Sequence, residues 1–155
     1  MKKFFFDCGT RDATASLGLL ALRVMVGLMM LIGHGMPKIQ NFESLKKFFY
    51  VPDFLPLSWA PACLIACIAA EVVAAAFITI GFATRPAAFV LGFTMVVAAF
   101  GKLGATPWFV KSATLIETKE LSIMYLIPMI AIILAGAGGY SLDAAICKDS
   151  KRRRW

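Results

Sequence analysis

The sequence predicts an all-α integral membrane protein, built as a bundle of four transmembrane helices. Three observations support this fold class. Of the 155 residues, 60% are hydrophobic and the mean hydropathy is +0.79, whereas soluble domains contain about 45–50% apolar residues. Only 16% of the residues are charged. The apolar residues are also gathered into four stretches, each long enough to cross the hydrocarbon core of a bilayer.

These four stretches meet the length requirement of a transmembrane helix, which is about 17–25 predominantly apolar residues. They cover residues 17–35, 60–82, 87–103 and 121–137. Pro37 is expected to end the first helix, because proline lacks a backbone N–H and disfavours the helical conformation of Met36. The glycines of "GAGGY" are expected to end the fourth helix, since glycine loses more backbone entropy than other residues when it is held helical.

The distribution of Lys and Arg predicts that both termini lie in the cytoplasm, because cytoplasmic segments carry an excess of these residues. The predicted organisation is a cytoplasmic N-terminal segment (1–16), a four-helix membrane domain (17–143) and a basic cytoplasmic tail (144–155). The apolar core of the N-terminus, "FFF", is shorter than the roughly 7–15 residues of a secretory signal. We therefore expect a multi-pass protein of the inner (plasma) membrane, whose first helix acts as an uncleaved insertion signal.

The formal net charge of +7 does not indicate a nucleic-acid-binding protein. The basic residues lie at segment ends and in the tail "KDSKRRRW", where membrane topology places them. The expected partners are the lipid bilayer and a membrane or peripheral protein, and not nucleic acid.

Two charged residues interrupt the predicted spans, Arg23 in the first and Glu71 in the second. A charge that faces lipid at the centre of a helix costs about 2.5–3.5 kcal/mol on insertion scales. The two spans run antiparallel, which places the two side chains within reach of each other. We therefore predict a structural ion pair between Arg23 and Glu71, and we keep open that both also support a ligand site.

A polar pocket near the outer membrane face is the second prediction. His34 is the only histidine and lies between two glycines, which leave room beside the imidazole. Lys38 follows it, and Glu120 begins the fourth apolar stretch at the same level. The alternative is ordinary snorkelling, with lysine reaching the headgroups and His34 capping a helix end. The candidate ligand-binding residues are His34, Lys38, Glu71, Glu120 and Arg23.

The residues that carry these features resemble the DoxX family of small membrane proteins. The resemblance covers "LRVMVGLMMLIGHGMPKIQNF", "AAEVVAAAFITIGFATRPAA" and "ETKELSIMYLIPMIAIILAGAGGYSLD". It implies a four-helix membrane bundle and an association with quinone-linked oxidation and thiosulfate oxidation. The positions that match the family are Arg23, His34, Lys38, Glu71, Arg85, Glu120, Tyr140 and Asp143.

The first functional hypothesis is a quinone or quinol site in a subunit of a quinone-linked oxidoreductase. His34 would bind a quinone carbonyl and exchange a proton, Lys38 would polarise the carbonyl, and Glu120 would hold the imidazole. An apolar cleft would be supplied by methionines and phenylalanines, namely Met25, Met29, Met30, Phe93 and Phe100. No covalently bound cofactor and no metal site are expected, since a haem or iron–sulfur motif is not present in the sequence.

The second hypothesis is a non-catalytic scaffold or assembly subunit that anchors a partner complex. Small residues in "IAAEVVAAA" favour close helix contact, and the basic tail can dock an acidic protein or anionic lipid. Cys63 and Cys67 lie four residues apart on one helix face. Small apolar packing residues are the ordinary interpretation of such cysteines, and a redox role is left open.

Overall fold

The computed structural model describes residues 12–109 and 118–152, with side chains as far as residue 147. All regular secondary structure in these ranges is helical, without any strand. The helices are α1, Ala13–Gln40; α2, Phe42–Leu45; α3, Leu57–Ile80; α4, Thr84–Lys102; α5, Glu120–Ala135; and α6, Leu142–Arg152. The all-α prediction is confirmed.

Three of the described helices are long and apolar enough to cross a membrane. α1 has 28 residues, α3 has 24 and α4 has 19. Large apolar side chains on their outward faces, such as Met25, Ile65 and Phe93, are exposed. Because such faces are stable in lipid and not in water, the prediction of a membrane protein with several apolar spans is confirmed.

The α1 helix extends beyond the predicted span of residues 17–35 at both ends. At its start, the carboxylate of Asp12 accepts a hydrogen bond from the backbone N–H of Ala15 at 2.8 Å. This N-cap satisfies one of the N–H groups that have no partner inside the helix.

At the other end of α1 the structure corrects the prediction that Pro37 ends the helix. Leu31–Gly35 forms a π-helical turn, in which the N–H of Met36 donates to the carbonyl of Leu31, five residues back. This wider turn shifts the hydrogen-bond register immediately before the proline. The helix therefore accommodates the absent Pro37 N–H and continues to Gln40.

Two further helices contain π-helical turns. Ala70–Ala74 forms one in the middle of α3, and Val97–Lys102 forms one at the end of α4. Such turns are rare and occur frequently at functional sites. Each contains a charged residue: Glu71 in α3 and Lys102 in α4.

The helices pack side by side in a closed ring. α1 packs on α3, α3 on α4, α4 on α5, and α5 returns to α1. The core between them consists of apolar side chains with almost no exposed surface. These are Met30, Ala74, Ala75, Ile78, Ala87, Ala88, Leu91, Met95, Tyr125, Met129 and Ile132.

The α5 helix has 16 residues and is about 24 Å long at 1.5 Å per residue. Near its start, Tyr125 contacts the ring of His34 close to the C-terminal end of α1. Just after its end, the N–H of Gly139 donates to Ser16 Oγ at 3.0 Å, near the N-terminus of α1. α5 therefore runs antiparallel to α1 over most of its length.

Candidate functional site

The centre of the candidate site is an ion pair between Lys38 and Glu71. The ammonium of Lys38 donates to both carboxylate oxygens of Glu71. The Glu71 side chain is 4% exposed and the Lys38 side chain is 24% exposed. Lys38 lies just beyond the π-helical turn of α1, and Glu71 lies within the π-helical turn of α3.

Close contact between these two turns brings the pair together. A Cβ atom at Gly35 would lie 2.7 Å from Val72 Cγ2 and 3.3 Å from the carbonyl oxygen of Glu71. The backbone of α1 can approach α3 this closely only because position 35 has no side chain. The predicted room beside His34 is therefore occupied, on the Gly35 side, by the α3 backbone.

Three further polar side chains surround the carboxylate of Glu71. The thiol of Cys67 donates to Glu71 Oε1 at 3.4 Å. The His34 ring packs edge-on against Tyr125 at a centroid distance of 5.4 Å and an interplanar angle of 89°. Both rings also interact electrostatically with Glu71. The result is a cluster of one carboxylate, one ammonium and three groups that can donate hydrogen bonds.

The structure corrects the predicted ion pair between Arg23 and Glu71. The Arg23 guanidinium is fully buried, and its Nη2 donates to the carbonyl of Tyr140 at 2.7 Å. Its Nη1 donates to the carbonyl of Ile78 at 3.3 Å, and its nearby negative charge is Asp143. The pairing fails because Arg23 is used at the opposite end of the bundle, while Lys38 takes the place beside Glu71.

Asp143 organises that opposite end of the bundle. Its side chain accepts hydrogen bonds from the N–H of Ala83 at 2.8 Å, and from the N–H and hydroxyl of Thr84 at 2.9 and 2.8 Å. Its own N–H donates to the carbonyl of Gly81 at 2.9 Å. The carboxylate thus joins the segment after α5 to the turn between α3 and α4, next to Arg23. We call this arrangement the Asp143 clamp.

The comparison with known families identifies the chain at this point. A family model described as DoxX matches residues 18–103, which is more than half of the chain. The chain belongs to the DoxX family. No curated protein and no solved structure matches it.

The DoxX match contains the ion pair and its surroundings, since Arg23, His34, Lys38 and Glu71 all lie within residues 18–103. Glu120 lies beyond the matched residues. It is the first residue of α5 and is half-buried. Its predicted role beside the His34 imidazole stays a prediction.

An apolar cleft of about 340 Å³ lies on the DoxX protein between the end of α1 and the first half of α3. Its walls are Ile39, Phe42, Ile65, Ile68 and Ala69. Ile39 directly follows Lys38, and Ile68 and Ala69 lie between Cys67 and Glu71 along the chain. The cleft therefore adjoins, in sequence, both partners of the ion pair.

This position differs from the apolar cleft expected from the sequence. Met25, Met29, Phe93 and Phe100 are exposed on outward helix faces, and Met30 belongs to the central core. The cleft expected from the sequence stays a prediction. Sequence reasoning missed Ile39, Ile65 and Ile68, since aliphatic residues on a membrane helix carry no distinguishing signal.

Cys63 and Cys67 are both free thiols. The Cys67 thiol is part of the site through its hydrogen bond to Glu71. The signal that could have found it is the four-residue spacing between Cys67 and Glu71, which places the two on one helix face.

Proposed function

We propose that this DoxX protein binds a quinone- or quinol-type ligand at the Lys38–Glu71 pair, as the membrane subunit of a redox complex. The observation that carries the proposal is an ion pair with a buried carboxylate, next to an apolar cleft whose lining residues are neighbours in sequence of both partners. An ionisable pair at membrane depth is expensive to keep and marks ligand or proton pathways. Stability alone is a poor reason for it, because apolar residues of similar volume are often at least as stable as a buried ion pair.

The residues present fit a quinone. Its two carbonyl oxygens need hydrogen-bond donors, and its ring and tail need apolar walls. The Lys38 ammonium has three N–H donors, so it can hold Glu71 and a ligand oxygen at once. The cleft volume of about 340 Å³ lies in the range of about 300–1,000 Å³ usual for small-ligand pockets. A bound quinone would supply two-electron, two-proton redox chemistry.

The chain's own residues have distinct roles in this proposal. Lys38 orients and polarises a ligand oxygen, and Glu71 accepts or returns a proton while it holds Lys38 in place. The His34 imidazole can donate or accept a hydrogen bond on the same side of the cluster. The apolar cleft walls exclude water, which strengthens these electrostatic interactions. The family resemblance implies that electrons pass to or from a partner protein.

We further propose that α5 is the fourth span and that both termini face the cytoplasm of an inner-membrane protein. The support is that α5 extends from the level of His34 to the level of Ser16. Two single-cysteine variants test this with a membrane-impermeant maleimide. One keeps only Cys147, and the other carries Ser58→Cys with all native cysteines replaced, which marks the opposite side. Labelling of the two thiols from opposite sides supports the fourth span, and labelling from the same side contradicts it.

The ligand proposal is tested by binding of decylubiquinone to purified protein in lipid nanodiscs, measured by equilibrium dialysis. Lys38→Gln and Glu71→Gln should raise the Kd by about ten- to a hundredfold, because each removes a charge-assisted contact of about 1.5–3 kcal/mol. The matched control is Lys46→Gln, whose residue pairs with Glu43 on the exposed connection, and its Kd should equal that of the native protein.

Two results would overturn the ligand proposal. One is that the native protein binds no decylubiquinone. The other is that Lys38→Gln, Glu71→Gln and Lys46→Gln all leave the Kd unchanged. Circular dichroism of each variant shows whether the helices are retained, so that a loss of binding is assigned to the site and not to unfolding.

A further inference from the structure

The connection between α2 and α3 exposes several large apolar side chains that the described parts of the chain leave uncovered. Phe48 is 90% exposed, Phe54 is 83% exposed, and Leu57 at the start of α3 is 85% exposed. The surfaces of soluble proteins rarely carry large apolar side chains so close together, and an extended apolar patch marks an interaction site.

This connection joins the ends of two helices that are long enough to span a membrane. It starts close to the end of the 28-residue α1 and runs into the start of the 24-residue α3. Tyr50 holds it against the bundle: a Cβ at Gly101, near the end of α4, would lie 2.7 Å from Tyr50 Oη and 3.1 Å from its ring. The connection is therefore folded across the ends of α1, α3 and α4.

Two tryptophans lie at the same end of the bundle as this connection. Trp59 lies at the start of α3 and Trp108 lies just after α4, and each is about half exposed. Tryptophan is enriched at the level of the lipid headgroups, where its ring meets apolar chains and its N–H meets water. Phe48 and Phe54 belong to the connection that ends at Trp59, and they lie at the same end of the bundle.

The charges of the connection do not favour a partner recognised by its charge. Between residues 46 and 59 the sequence has two lysines and one aspartate. Lys46 is already paired with Glu43. The remaining surface is apolar and aromatic, which fits the boundary between headgroups and acyl chains.

We propose that residues 48–59 form an interfacial anchor, in which Phe48, Phe54 and Leu57 insert into the boundary between lipid headgroups and acyl chains. The anchor fixes the depth of the outer end of the bundle. Phe42, a wall of the apolar cleft, lies six residues before Phe48 in sequence. A ligand dissolved in the lipid would then reach the cleft without passing through water. The anchor does not depend on the identity of that ligand.

Fluorescence depth measurements on single-tryptophan variants test the anchor. The background carries Trp59→Phe, Trp108→Phe and Trp155→Phe, and one tryptophan is then introduced by Phe48→Trp or by Phe54→Trp. Two reference variants calibrate the depth: Phe93→Trp on the exposed face of α4 and Glu43→Trp at an exposed polar position. Each variant is reconstituted into nanodiscs with one chain per disc. Tryptophan fluorescence is then quenched by lipids brominated near the headgroup, by lipids brominated near the end of the acyl chain, or by iodide in the aqueous phase.

The anchor predicts that Phe48→Trp and Phe54→Trp are quenched most strongly by lipid brominated near the headgroup and only weakly by iodide. Phe93→Trp should instead respond most to bromine near the chain end, and Glu43→Trp to iodide. Strong iodide quenching without lipid quenching at positions 48 and 54 would overturn the anchor. It would indicate a water-exposed surface that binds a protein partner. Protection from both quenchers would overturn it as well, because the segment would then be covered by protein. Circular dichroism of the tryptophan-free background confirms that the substitutions leave the fold intact.

Discussion

The Asp143 clamp gives the sharpest test of how the bundle is held together. The Asp143 side chain is 1% exposed and accepts three hydrogen bonds, one at Oδ1 from Ala83 and two at Oδ2 from Thr84. The substitution Asp143→Asn keeps the size of the side chain and replaces one oxygen by an amide NH2 group. In the best remaining arrangement the amide oxygen accepts both bonds from Thr84, and the NH2 group faces the Ala83 N–H.

The effect of Asp143→Asn on the free energy of unfolding follows from these three hydrogen bonds. The lost bond to a charged acceptor costs about 1.5–3 kcal/mol, and each of the two remaining bonds weakens by about 1 kcal/mol when the acceptor becomes neutral. Together these losses predict that the free energy of unfolding falls by about 3.5–5 kcal/mol. The buried Arg23 guanidinium also loses its nearby negative charge, which acts in the same direction.

Reversible unfolding in mixed dodecyl sulfate micelles, followed by circular dichroism, measures this change. The matched control is Asp53→Asn, at an exposed aspartate of the connection before α3, which should change the free energy of unfolding by less than about 0.5 kcal/mol. Equal effects of Asp143→Asn and Asp53→Asn would refute the clamp. They would also remove the reason to place the segment after α5 beside the α3–α4 turn.

Two glycine substitutions are predicted to act through backbone contacts, each with a matched control on α1. Gly35→Ala should lower the free energy of unfolding by about 1–3 kcal/mol, because the new methyl group overpacks the contact between α1 and α3, whereas Gly33→Ala, with no atom within 4 Å of its Cβ, should not destabilise. Gly81→Ala should cost at least as much, since Gly81 has a φ of +75° and a Cβ there would lie 2.1 Å from an Arg23 nitrogen. A Cβ at Gly18 would have open space, so Gly18→Ala should be neutral or slightly stabilising. The same unfolding titration measures all four variants. Equal effects of Gly35→Ala and Gly33→Ala, or of Gly81→Ala and Gly18→Ala, would contradict the contact at Gly35 or at Gly81.

Composition and hydropathy predicted the fold class and most of the helices. Three apolar stretches appear as helices long enough to span, because the cost of exposing the backbone in lipid requires helices there. The ends of α1 could not be predicted as well. Its start depends on a cap by Asp12, and its extension past Pro37 depends on a π-helical turn that no composition signal reveals.

The same turn bears on the cation that was wrongly assigned to Glu71. The prediction ended the first helix before Pro37, which left Lys38 outside it, and chose Arg23 because the two antiparallel spans bring it within reach of Glu71. The structure instead continues α1 to Gln40 through the π-helical turn, so Lys38 belongs to the helix. The sequence showed correctly that Glu71 needs a cation, but the choice of Lys38 depended on this continuation of α1.

The Asp143 clamp and the apolar cleft could not be predicted from the sequence for a different reason. Asp143 was noted only as a position that matches the family, and its partners lie about 60 residues away along the chain. Contacts at such separation depend on how the helices pack, which local pattern does not encode. Two predicted segments lie partly outside the described residues: the N-terminal segment 1–16 and the basic tail 144–155, of which α6 covers the first part.

The most direct test of the account is the coupling energy between Lys38 and Glu71. Lys38→Gln, Glu71→Gln and the double variant form a double-mutant cycle for the free energy of unfolding. Because the pair is nearly buried, we predict a coupling of about 1.5–3 kcal/mol, against no more than about 1 kcal/mol for the exposed pair of Lys46 and Glu43. Additive effects of Lys38→Gln and Glu71→Gln would contradict the account, because Glu71 would then have its cationic partner elsewhere.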